Sequence, residues 1–79
     1  MINTEIAPLG ISRIDFIGKN VMFLHLTNER TVLIPLDKFK PIADLTPEQR
    51  QDFEIIDNHY LSFLALDEVY SLKELIGIE

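Results

Sequence analysis

Val21-Met22-Phe23-Leu24-His25-Leu26-Thr27 is the clearest strand of the chain. Side chains in a strand alternate between faces, so Met22, Leu24 and Leu26 point one way and Val21, Phe23 and His25 the other. The second set is also mostly apolar, which calls for cover by a helix or a partner. On the N-terminal side, Ile11 to Ile17 reads as another strand with Ile14 and Phe16 on one face, joined through a Gly18-Lys19-Asn20 turn. On the other side, Asn28-Glu29 makes a turn, without the glycine of the strongest hairpin signal, and Thr31 to Leu36 returns with Val32, Ile34 and Leu36 on one side. Pro35 has no amide hydrogen and belongs at a strand end or an edge. An antiparallel sheet built around residues 11–36 is therefore expected.

Beyond it the pattern changes period. Asp37 is positioned to cap a helical turn containing Phe39, with Pro41 ending or redirecting it. Thr46-Pro47-Glu48-Gln49 is a sharper signal: Thr46 as cap, Pro47 in the first helical position, Gln49 closing a capping box, and a helix to Gln51 or Asp52. Phe53–Ile56 and Tyr60–Leu64 flank an Asp57-Asn58 turn as two short strands or one irregular hairpin. Ser71 and Glu74 form a second capping box, followed by Leu72, Leu75 and Ile76 on one face and by Gly77 where a helix stops. The expected organisation is a short leader over residues 1–10 and a single α+β domain over 11–79, a small antiparallel sheet with two or three short helices. Its predicted core comprises Ile14, Phe16, Met22, Leu24, Leu26, Val32, Ile34, Phe39, Phe53, Leu72 and Leu75.

Seventy-nine residues allow one compact core, and 47% apolar content argues for a folded chain. There is no cysteine, so neither a disulfide nor a thiolate is available, which suits a cytoplasmic location. The first twenty residues lack a basic stretch followed by an apolar one, and no apolar run reaches the roughly 20 residues of a membrane span. Net charge is -6 and unevenly spread. Residues 1–41 carry five bases and four acids, residues 42–79 two bases and nine acids. The second half repels a phosphate backbone, so direct nucleic-acid binding is not expected, and an acidic face suits a partner with a basic surface. Arg13, Lys19, Arg30, Lys38 and Lys40 make at most a modest basic edge without interleaved aromatic platforms.

Chemistry-bearing residues are sparse. His25 sits within a strand and His59 beside a turn; neither has a paired ligand spacing, so no metal or other cofactor is expected. Asp67-Glu68 is the tightest acidic motif, but neighbours on an extended segment point to opposite faces and do not share a proton. Asp67 is placed to bond local amides and Glu68 to face water. Ser62 and Ser71 lie in no nucleophile elbow. No catalytic residue is assigned.

Landmarks along most of the chain resemble a small bacterial family catalogued as domain of unknown function 2442. They are Ile34-Pro35-Leu36, Phe39, Leu45-Thr46-Pro47-Glu48-Gln49-Arg50, Phe53, Phe63 where the family often has tryptophan, Leu66-Asp67-Glu68, and Ser71, Leu72, Leu75 and Ile76. The chain departs from it at Asn28-Glu29, in place of an Asp-Gly-like turn, at Leu64, in place of proline, and at Val69, in place of a further acid. The resemblance implies an α+β fold with a small sheet and short helices, and it implies no established enzymatic activity. Some relatives are encoded beside toxin-like or helix-turn-helix proteins, which implies a protein-binding or antitoxin-like role.

The expected function is a non-enzymatic interaction module, as a homodimer or with a protein partner bearing a basic surface. Val21 and Phe23 are the first candidates for the interface, Tyr60 and Phe63 the next. Two alternatives are a small hydrolytic or metal-assisted enzyme using His25 or His59 with Asp67 and Glu68, and an accessory subunit of a DNA-binding complex.

Overall fold

A computed structural model describes residues 9–78. The expected leader lies mostly outside the described residues. The fold is α+β, with two three-stranded antiparallel sheets and short helices. Sheet A has the order β1 (Ile11–Ile17), β2 (Val21–Leu26), β3 (Thr31–Pro35). A 3-10 turn at Leu36–Lys38 and helices α1 (Lys40–Ala43) and α2 (Pro47–Gln51) lead to sheet B. Its order is β4 (Phe53–Ile56), β5 (Tyr60–Phe63), β6 (Val69–Ser71), and α3 (Leu72–Ile76) follows.

Each sheet turns alternate residues inward, where Ile14, Met22, Leu24 and Ile34 of sheet A share one buried cluster with Leu61, Phe63 and Tyr70 of sheet B. Aromatic rings connect the two layers: Phe63 lies 6.3 Å from Phe16 and 6.2 Å from Phe53, and Phe39 meets Tyr70 edge-on at 5.8 Å. Of the predicted core, Phe16, Val32, Phe39 and Phe53 are only partly buried against this cluster. Ile11, Leu36, Ile42, Leu45, Leu61, Phe63 and Tyr70 join it in addition.

The local signals explain most boundaries. Pro35 is the last residue of edge strand β3, where its missing donor leaves no ladder bond unmade. In α2, Thr46 Oγ1 accepts from Gln49 N–H at 3.1 Å and Gln49 Oε1 accepts from Thr46 N–H at 2.9 Å. In α3, Ser71 Oγ accepts from Glu74 N–H at 3.1 Å and Glu74 Oε1 from Ser71 N–H at 3.2 Å. Both capping boxes are thus complete. Gly77 closes α3 with φ 81°, the left-handed conformation that lacks a side-chain penalty only in glycine.

Three expectations need correction. Asp37 caps nothing: the 3-10 turn begins after Pro35 with no side-chain cap. Pro41 lies in the first turn of α1 rather than ending a helix, because a first-turn amide needs no intrahelical acceptor. Residues 69–71 form a strand that the sequence pattern does not announce, since only Tyr70 of the three is buried.

Two contacts fasten other elements onto sheet A. Gly10 donates to Thr27 Oγ1 at 3.0 Å, its carbonyl accepts from Thr27 N–H, and Ile11 N–H reaches the Asn58 carbonyl in the β4–β5 turn. A β-carbon on Gly10 would meet Asn58 Cβ and O at 2.8 Å, so this crossing admits only glycine without rearrangement. Gly10, assigned to the leader by sequence, is buried and belongs to the fold. The second fastening is Arg50, at the end of α2, which is 6% exposed. Its guanidinium donates to the carbonyls of Gly18 (3.1 Å), Lys19 (2.7 Å) and Ala43 (3.1 Å) and lies 4.8 Å over the Phe16 ring.

Candidate functional site

The pairing register fixes what each sheet turns away from the core. On sheet A, Ile17 faces Val21 and Val21 faces Pro35; one step along, Asp15 faces Phe23 and Phe23 faces Leu33; next, Arg13 faces His25 and His25 faces Thr31. The outer face is therefore apolar over the first row, mixed over the second, where Asp15 lies beside Phe23 and Leu33, and polar over the third. It remains open: Ile17 is 53% and Leu33 56% exposed, and Val21 and Phe23 are half-buried between them.

The polar row is a linked network. His25 Nε2 lies 2.7 Å from Asp15 Oδ2, and Nδ1 lies 2.9 Å from Thr31 Oγ1. A carboxylate only accepts, so Nε2 carries the proton; Nδ1 accepts from the threonine hydroxyl when the ring is neutral. Arg13 Nε adds a contact to Asp15 at 3.5 Å. The order hydroxyl–imidazole–carboxylate is that of a general-base relay. Here it spans three adjacent strands on an open surface, where it serves as a cross-strand ladder fixing their register.

On sheet B, Glu54 faces Ser62 and Ser62 faces Val69; the next outward row is Ile56, Tyr60 and Ser71. Asp52, Glu54, Ser62 and Leu64 line a shallow depression of about 320 Å³. Leu64 is 82% exposed and Val69 51%. A second depression, between α3 and the start of β1, is lined by Leu9, His59, Tyr60, Lys73, Ile76 and Ile78.

These positions sort the sequence candidates. Val21 and Phe23 lie side by side on the outer face of sheet A, and Tyr60 is exposed on that of sheet B. Phe63 is corrected: it points inward from β5, is fully buried between Phe16 and Phe53, and offers no surface to a partner. His25 bonds to Asp15 and Thr31, not to Asp67 or Glu68. His59 lies at the β4–β5 turn, where its carbonyl accepts from Leu72 N–H. Among the described residues no three His, Asp or Glu side chains gather as a metal site. Asp67 and Glu68 are both exposed ahead of β6, and Asp67 makes no local amide bond among the described residues.

Glu68 acts on its neighbour Tyr70 instead. The Tyr70 hydroxyl is buried near the Glu68 carboxylate but outside hydrogen-bond geometry, which leaves it without a partner. Burial, then the adjacent Glu68 carboxylate and the charge of Glu74, push its pKa up to about 12. Arg50, Asp15 and Thr31 are the functional-looking residues that sequence reasoning passes over. An arginine closing a capped helix looks like a surface residue interacting with the helix dipole, and the His25 partners become visible only through strand register.

No helix among the described residues is long and apolar enough to cross a membrane. No protein-family model, no curated protein and no solved structure matches this chain.

Proposed function

We propose that the chain is a non-catalytic interaction module that pairs with a second copy of itself through the outer face of sheet A. The observation that carries this is the apolar patch of Ile17, Val21, Phe23, Leu33 and Pro35 on strands whose other face is already buried. A contiguous exposed apolar face on a small domain marks an association surface. Charge supports a second copy as its occupant. Residues 11–36 hold three basic and two acidic residues, whereas the whole chain carries -6. Two copies can meet on this near-neutral face with their acidic regions turned apart, as a self-complementary two-fold contact allows. Membership of the family catalogued as domain of unknown function 2442 is proposed on the order of the landmarks from Ile34-Pro35-Leu36 to Leu75-Ile76; it adds no activity.

Sedimentation over a concentration series tests the reading. The chain should dimerise, and added salt should tighten the dimer by screening the repulsion between two acidic chains. Phe23→Asp and Leu33→Asp should each give a monomer with unchanged circular dichroism and melting temperature. A wild-type monomer at the highest attainable concentration, or dimers that survive both substitutions, would sink it.

A further inference from the structure

The outer face of sheet B is built from other material. Asp52 and Glu54 share a depression with Leu64, the most exposed large apolar residue among those described, and the adjoining rows present Ile56, Tyr60 and Val69. No lysine or arginine lines that depression or occupies an outward position in the register of β4, β5 and β6. The exposed apolar side chains adjoin one another on this face, and the carboxylates beside them have no basic partner on it.

We infer that this face receives a basic, amphipathic peptide segment from a protein partner. Its apolar side chains would cover Leu64, Val69, Ile56 and Tyr60, and its lysines or arginines would meet Asp52 and Glu54. Charge complementarity sets the sign of the occupant, because a second copy of a chain carrying -6 would bring more acid to an acidic surface. Surface ion pairs contribute little individually, so the apolar contacts supply most of the affinity and the carboxylates supply selection and association rate. This surface is separate from the outer face of sheet A and stands or falls independently of self-association.

The test uses the full chain and three fluorescent synthetic peptides read by anisotropy. One carries leucines on one helical face and lysines on the other, one is its scrambled isomer, and one is a lysine oligomer. The amphipathic peptide should bind saturably and weaken as salt rises. The scrambled and all-lysine peptides should bind at least about tenfold more weakly, a difference of roughly 1.4 kcal/mol. Leu64→Ser with Val69→Ser, and separately Asp52→Lys with Glu54→Lys, should each weaken the amphipathic peptide about tenfold. Phe23→Asp should leave its affinity unchanged while abolishing self-association. The inference is overturned if no peptide saturates, if all three bind alike, if neither double substitution matters, or if binding is lost with Phe23→Asp. It is equally overturned if Leu64→Ser with Val69→Ser dissolves a dimer, since the occupant would then be a second copy.

Discussion

Sheets A and B have the same plan, three antiparallel strands in chain order with alternate residues buried in a shared core. Their outward residues diverge: sheet A presents Val21, Phe23, Leu33 and a His25–Thr31 pair bonded diagonally to Asp15, sheet B presents Glu54 and unpaired apolar side chains. In a chain this small the inner faces have no freedom, because burial there supplies the stability. The outer faces are free to differ. The strands differ as well. Those of sheet A run for seven, six and five residues, those of sheet B for four, four and three, and the two capped helices flank sheet B along the chain.

The strongest way to break this comparison is to ask whether the two cores are one. Leu24 in β2 and Leu61 in β5 are both fully buried. Either truncated to alanine should cost about 2–5 kcal/mol, and in both variants the sheets should melt together in one transition. Two transitions by circular dichroism and hydrogen exchange would mean that sheet B folds as a separate unit. Next comes the crossing between the sheets. Gly10→Ala forces a methyl group against Asn58 and should cost about 1–3 kcal/mol, with the added exchange in the Asn58 turn as well as at Ile11. A variant as stable as the wild type would show that the sheets shift apart freely.

How far each sheet is legible follows from strand length. Period two is unmistakable across Met22, Leu24 and Leu26, and it correctly turns Val21 and Phe23 outward. Ile11 escapes because the register shifts between Ile11 and Arg13, leaving Ser12 as an extra residue and changing which parity points inward. In sheet B the strands are too short to show a period. Phe63 and Leu64 are equally apolar in sequence, yet one is fully buried and the other wholly outside. The candidate surfaces are assembled by pairing. Ile17 and Leu33 join Val21 and Phe23 only through register, and Val69 reaches Glu54 through Ser62 in the same way. Adjacency across strands has no local trace in composition.

Smaller effects sharpen the contrast. Tyr70 ionises near 10 in an unfolded chain and at about 12 here. The folded state therefore holds a proton that the unfolded state releases, so stability is intact below pH 10 and falls between pH 10 and 12. The displacement from 10 to about 12 bounds the loss at about 3 kcal/mol, and salt removes only the smaller share that comes from the charges of Glu68 and Glu74. Chemical denaturation across that range should show the decline in the wild type and none from this source in Tyr70→Phe. At neutral pH, Tyr70→Phe should match or exceed the wild type, because it removes a buried hydroxyl that has no partner. The hairpin turns give the smallest effect. In the β4–β5 turn the positive-φ positions are Asp57 and Asn58, and in the β1–β2 turn Gly18, residue types that tolerate the left-handed region; in the β2–β3 turn the position falls on Glu29, which does not. Glu29→Gly should raise stability by about 0.5 kcal/mol, whereas Asn58→Gly should change it less. Equal gains at both turns in thermal melts would refute the distinction.

The Arg50 clamp has a consequence for the order of events as the chain folds. Its acceptors lie on Ala43, seven residues back, and on Gly18 and Lys19, more than thirty residues back. None of the long-range bonds can form until the β1–β2 hairpin has closed and α2 has been carried onto it. A contact of this range is expected to form late, after the elements it joins. It acts as a latch: its loss changes how quickly the native state opens and leaves the speed of closing nearly untouched.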